Sequence, residues 1–122
     1  MDLNRRRVGA VFEQMAEKWM NRNGFVLCHK NWQNAHREID LIMENSFKRI
    51  FIEVKSNSAR SNGFPEDKIN RLKKKHLITS MNKYNELYPT KKQIQWDIIG
   101  ITQNDHAVQL FHMKDAFFGV KL

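Results

Sequence analysis

The sequence predicts an α/β fold, a mixed five-stranded sheet flanked by helices in the order α-β-β-β-α-β-β. Three observations predict it. Residues 4–22 and 66–88 carry apolar side chains at helical spacing. Between them, His36 to Lys55 alternates apolar and polar residues with period two around a short polar break. After the second helix, Ile94 to Thr102 holds the longest apolar run, as a strand inside a sheet does. A chain of 122 residues with 41% hydrophobic and 28% charged residues then reads as one globular domain spanning 1–122.

In chain order, the first helix places Val8, Phe12, Met15 and Trp19 on one stripe, with Val11 and Ala16 flanking it. Asn4 is its candidate N-cap and Gly24 its stop. Arg5, Arg6 and Arg7 in the first turn oppose the helix dipole, which a phosphate-rich partner or plain solvation would relieve. Glu13 sits at the border of the apolar stripe, where a carboxylate is either solvent-facing or able to reach the sheet's edge. Phe25 to Trp32 reads as the first strand, with Asn34 as the turn residue that follows.

The next two strands form a hairpin about Asn45-Ser46-Phe47-Lys48. A two-residue or a four-residue loop gives the same register, with Asp40 opposite Glu53 and Glu38 opposite Lys55. One face then carries Ile39, Leu41, Met43, Ile50, Ile52 and Val54, and the other gathers Glu38, Asp40, Glu53 and Lys55. Two carboxylates facing each other across strands repel. A divalent cation such as Mg²⁺ or Mn²⁺ would reconcile them, because hard carboxylate oxygens suit such ions. A solvated outer face joined by a Glu38–Lys55 pair accounts for the same hairpin.

Residues 56–65 read as a loop that includes Arg60 and ends in Gly63 and Pro65, next to the acids. In the second helix Ile69, Leu72, His76, Leu77, Met81 and Tyr84 define the buried face. Lys73 falls inside that sector, while Lys74 and Lys75 lie outside it or at its edge and are candidates for phosphate contact. Pro89 ends the helix. Ile94 to Thr102 follows, parallel to the third strand because a helix intervenes. Asn104-Asp105 turns the chain into a last strand, 107–112, and residues 114–118 read as a short closing turn or helix.

The net charge of +8 points to a polyanionic partner, nucleic acid before anionic membrane. Cys28 is the single cysteine, which excludes an internal disulfide and fits a cytoplasmic location. Scattered histidines with one cysteine make no zinc pattern. No apolar segment approaches the length of a membrane span.

An acid on one strand followed by Glu53-x-Lys55 on the next resembles the PD-(D/E)xK nuclease signature, with Ile39 in place of the proline. The chain as a whole resembles the YraN-like family of small bacterial proteins. The likeness rests on Gly9-x-x-x-Glu13-x-x-Ala16, Gly24-Phe25, Glu38-Ile39-Asp40-Leu41-Ile42 and Phe51-Ile52-Glu53-Val54-Lys55. It continues through Gly63-x-Pro65, Lys73, Leu77, Trp96-Asp97-Ile98-Ile99 and Asp115-Ala116-Phe117. Arg37 stands where a glycine often precedes the acidic block, and Gln95-Trp96 replaces a common Arg-Phe. That family is similar to archaeal Holliday-junction resolvases and carries a restriction-endonuclease-like fold.

The resemblance implies a metal site of Asp40 and Glu53 with Lys55, and with Glu13 contributed by the first helix. Glu38 would support it. The function implied is metal-dependent endonuclease cleavage of DNA, branched or single-stranded, with Mg²⁺ or Mn²⁺ as cofactor. Arg5, Arg6, Arg7, Arg60, Lys73, Lys74 and Lys75 would hold the nucleic-acid backbone. Resolvase-like relatives act as dimers, which extends the expectation to a homodimer. A non-catalytic nucleic-acid-binding module on the same fold is the alternative, and an adaptor for an acidic protein is a third.

Overall fold

A computed structural model describes residues 3–35, 37–58 and 71–116. Its elements are α1 (Leu3–Arg22), β1 (Val26–Asn34), β2 (Arg37–Glu44), β3 (Lys48–Ser58), α2 (Arg71–Leu87), β4 (Gln93–Gln103) and β5 (Val108–Met113). This is the predicted order. The strands lie side by side as β1-β2-β3-β4-β5. The β3–β4 pair is parallel and the other pairs are antiparallel. That parallel pair requires a crossover connection, since no tight turn can make one, and α2 supplies it.

Local chemistry sets the boundaries. α1 ends where Gly24 takes a left-handed φ of 91°. Phe25 N–H then reaches back to Met20 O at 3.1 Å, closing the helix as a glycine C-cap does. The β2–β3 turn is held by Asn45, whose Oδ1 accepts the N–H groups of Phe47 and Lys48. Asn104 Oδ1 does the same for His106 and Ala107 before β5. Between β1 and β2 the left-handed residue is Ala35, with φ 57°, rather than Asn34, which stays in the strand. β3 also runs further than its polar composition suggests. Ser56, Asn57 and Ser58 pair with Ile101, Thr102 and Gln103, where a loop was expected from 56, and the rest of that expected loop, 59–65, lies outside the described residues.

Each face of the sheet buries one helix. Under α1, Phe12, Ala16 and Met20 meet Leu41, Met43, Ile50, Ile52, Ile99 and Ile101. Under α2, Leu77, Met81 and Tyr84 meet Ile39, Ile42, Phe51, Trp96 and Ile98. The contact stripe of α1 is therefore rotated from the predicted one. Val8 and Val11 are exposed, while Met15 and Trp19 only flank the core. Leu72 of α2 is likewise exposed. Trp32 packs edge-on against Tyr84, with ring centres 5.2 Å apart, which makes it a packing residue. Cys28 is half-buried beside the same cluster, and burial pushes its thiol pKa up, as expected of an inert packing thiol.

The alternation of β1 breaks at Cys28, where the register shifts between Leu27 and His29, and a second break falls in β1 and β2 at the same level. Leu41 and Met43 lie under α1 and Ile42 under α2, as period two requires. Ile39 should then lie under α1, yet it packs under α2. In β1, Lys30 reaches Glu17 of α1 at 3.1 Å, but Trp32, two residues on, packs under α2. The pairing steps from Lys30↔Leu41 to Trp32↔Ile39, passing over Asn31 and Asp40. Asn31 has φ 52°, a left-handed conformation that asparagine tolerates better than most residues. The apolar hairpin face predicted from 39 to 54 is thus correct except at Ile39, which this paired slip carries to the other face.

Two buried polar networks tie the layers together. Arg49 bonds Glu44 Oε2 at 2.7 Å, Asn85 Oδ1 at 2.8 Å and the Tyr88 carbonyl at 2.6 Å, and its guanidinium lies over the Tyr84 ring. Asp97, fully buried in β4, takes Gln95 Nε2 at 2.8 Å, the Asp115 N–H at 3.0 Å and His112 Nε2 at 2.6 Å. Trp19 Nε1 donates to His112 Nδ1 at 3.0 Å, which leaves the imidazole proton on Nε2, facing Asp97. The chain from α1 through β5 to β4 is saturated, which fits a structural role.

Removing one partner of such a network leaves a buried group unsatisfied. His112→Phe should lower the unfolding free energy by about 3 kcal/mol, read as a lower urea midpoint at unchanged slope. At the slip, Asn31→Val should cost about 2 kcal/mol because a β-branched residue resists φ > 0. Asn31→Gly should cost less than about 1 kcal/mol in the same assay.

Candidate metal centre

Asp40 stands where β2 and β3 part. Their pairing ends at Leu41↔Ile52. The next pair in that register would be Asp40 with Glu53, as the sequence predicts. Instead the Asp40 side chain enters the gap, and its Oδ2 accepts the Val54 N–H at 2.8 Å. A carboxylate occupies a place that a ladder carbonyl would otherwise hold.

The slip at Asp40 directs Glu38 and Asp40 toward α1, and α1 supplies Glu13 from a half-buried position one step beyond the core residue Phe12. One carboxylate oxygen each of Glu13, Glu38 and Asp40 come within 4.8 Å of one another. Asn31 hydrogen-bonds the Glu13 side chain from β1. Glu53 lies close enough for its charge to act on Asp40, and its Oε1 meets Lys55 Nζ at 3.0 Å. The structure therefore brings together Glu13, Glu38 and Asp40 as the tight oxygen cluster, with Glu53 and Lys55 adjoining it as an ion pair. Glu38, expected only to support the site, is a full member of the cluster. Asn31 was not anticipated. Its signal was an asparagine inside an otherwise strand-forming run, a residue type suited to left-handed backbone.

The electrostatics are strained. Burial pushes the Asp40 carboxyl up to about 7, and the charges of Glu13, Glu53 and Glu38 push the same way against the Val54 N–H. Burial also raises Glu13, the Asn31 bond pulls it down, Glu38 raises it and Lys30 lowers it. Among the described residues, none of Glu13, Glu38 and Asp40 forms an ion pair. Hard oxygen donors, crowded, partly desolvated and without an ion pair among the described residues, fit Mg²⁺ or Mn²⁺ well.

Of the residues expected to hold a backbone, Lys74 is half-buried and Lys75 exposed on α2. Arg5, Arg6 and Arg7 fall in α1 and Lys73 in α2, with side chains outside what is described. Arg60 lies outside the described residues altogether.

A model of the uncharacterised protein family UPF0102 matches residues 12–101, a span that includes all five residues of the acidic site. The chain belongs to the UPF0102 family. A UPF0102 protein of Carboxydothermus hydrogenoformans is 31% identical over 117 residues, covering 93% of this chain and 98% of its own. One from Persephonella marina is 30% identical over 110 residues, covering 89% and 91%. One from Bacteroides fragilis is 25% identical over 111 residues, covering 91% and 92%. This UPF0102 member thus matches its relatives along nearly their whole length. Among its described residues no helix is long and apolar enough to cross a membrane.

The raised Asp40 pKa fixes the sign of a pH effect. A carboxyl whose folded pKa exceeds its unfolded value of about 3.8 stabilises the fold at low pH. That contribution is lost as pH rises from about 4 through about 7. Asp40→Asn, which can still accept the Val54 N–H, should therefore raise the Tm of the metal-free protein at pH 8 by about 5 °C or more. At pH 4 it should leave the Tm within about 1 °C of wild type. Scanning calorimetry at both pH values in EDTA checks both statements.

Proposed function

We propose that the protein is a metal-dependent endonuclease that hydrolyses phosphodiester bonds in DNA, branched or single-stranded DNA being the substrate forms the resemblance favours. One observation carries the reading. Three carboxylates from α1 and β2 gather, none of them in an ion pair among the described residues, directly beside an acid–lysine pair from β3. The likeness of Asp40, Glu53 and Lys55 to the PD-(D/E)xK signature supports it, as does the net charge of +8.

Glu13, Glu38 and Asp40 would hold Mg²⁺ or Mn²⁺, with Glu53 beside them. A divalent ion there supplies Lewis-acid polarisation of a phosphate oxygen and makes water a stronger acid. The protein's own groups do the rest. The Val54 N–H fixes the Asp40 carboxylate in the fork between the strands. Asn31 holds Glu13 and favours its charged form. Glu53 orients the Lys55 ammonium, which is placed to balance negative charge gathering on a phosphate during attack. Lys74 and Lys75 on α2 add sequence-independent attraction for the backbone.

The test is cleavage of labelled single-stranded, duplex and four-way-junction DNA with Mn²⁺, Mg²⁺ or EDTA. Metal-dependent cutting is expected, and Asp40→Asn should reduce it about a hundredfold or more. Equal cutting by that variant would remove Asp40 from the reaction. Salt-sensitive retardation of DNA without any cutting would instead favour a binding module that keeps the acids for another purpose.

A further inference from the structure

Arg37 begins β2, one residue before the clustered Glu38. Its guanidinium Nη2 meets His76 Nδ1 of α2 at 2.5 Å. An arginine can only donate, so Nδ1 accepts and the imidazole proton sits on Nε2. Both side chains are half-buried. The partner is a base, whereas the ion pairs of this protein join a base to an acid. Lys30 pairs with Glu17, Arg49 and Lys92 with Glu44, and Lys55 with Glu53. Arg37 has no acidic partner among the described residues. Among the described residues, a partly desolvated guanidinium braced by an accepting imidazole keeps N–H donors and a positive charge that no described acid takes up. Glu38 turns toward α1 and Arg37 toward α2, so the acid cluster and this pair flank the same end of one strand.

We infer that Arg37 and His76 form a phosphate-binding site that takes a backbone phosphate neighbouring the one at the acid cluster, and so set the path of the nucleic acid across the end of β2. Arg37 supplies a planar fork matched to two phosphate oxygens. His76 holds that fork against α2, and Lys74 on the same helix adds charge. The inference rests on the nucleic-acid reading for its ligand, and on the pair's own geometry for the site.

The experiment uses the isotope-labelled full chain in EDTA, so no cleavage is needed. Inorganic phosphate and a short oligothymidylate are titrated separately while the His76 imidazole and Arg37 guanidinium resonances are followed. Both probes should move those resonances, the oligonucleotide at lower concentration. Arg37→Gln should weaken oligonucleotide binding about tenfold at moderate salt and reduce the slope of log affinity against log salt by about one. In a separate melt without EDTA, Mn²⁺ should raise the Tm of Arg37→Gln as much as that of wild type, which would show that the variant is folded and its acid cluster intact.

Movement with phosphate but no oligonucleotide binding would support the site and overturn the nucleic-acid reading. Oligonucleotide binding that leaves both resonances still and is equal in Arg37→Gln would overturn the site and leave that reading standing. No response to either probe would overturn both.

Discussion

The arrangement of the site depends on one bond, from the Val54 N–H to the Asp40 carboxylate. β2 and β3 could have paired through Asp40 and Glu53 in the register they already keep at Leu41↔Ile52. That pairing would set two carboxylates face to face across a closed ladder, at a cost in repulsion. With the side chain in the gap, the backbone donor is satisfied and the strands separate. Opening the fork gives room for acids from three elements to converge. The slip at Asn31 and Asp40 is the other half of the same device, since it turns Glu38 and Asp40 toward the helix that carries Glu13.

Charge is managed differently elsewhere in the molecule. Glu44 is enclosed by Arg49 and Lys92, which hold its carboxyl below the usual range in spite of burial. Asp97 is wholly buried yet receives three donors. The fold is therefore able to neutralise its acids where structure alone is at stake. At the fork it raises the Asp40 carboxyl to about 7 and supplies one backbone donor. Repulsion tolerated at one place, and relieved at others by the same means, is the pattern expected of a site kept ready for an external cation.

Much of this was legible in the sequence because it follows from period and spacing. Alternation fixed β2, β3 and their register, and Gly24, Asn45 and Asn104 marked the end of α1, the β2–β3 turn and the β4–β5 turn through chemistry that acts within a few residues. What spacing cannot reveal is a coordinated departure from spacing. Ile39 changed faces because a residue in a different strand, Asn31, adopted a left-handed backbone. The position of the α1 stripe depended on where the helix rests on the sheet, so Phe12, Ala16 and Met20 became the contact instead of the more hydrophobic line through Val8. The same rotation moved Glu13 from a border position into the site. The pairing of Arg37 with His76 crosses 39 residues and carries no local signature at all.

The two helices then have opposite chemical tasks. α1 brings Glu13 to one side of β2, and α2 brings His76, with Lys74 and Lys75 nearby in sequence, to the other. The strand end between them carries Glu38 toward the first and Arg37 toward the second. A neutral partner would gain from neither side, and an acidic protein would be repelled by the first. A polyanion with regularly spaced charges differs, because one of its phosphates can share a divalent cation with the acids while its neighbour meets the bases directly. Under the proposed function, that division of sign across a single strand would suit a phosphodiester chain better than other anions of the same total charge. It also explains why the basic balance of the whole chain need not conflict with an acidic centre.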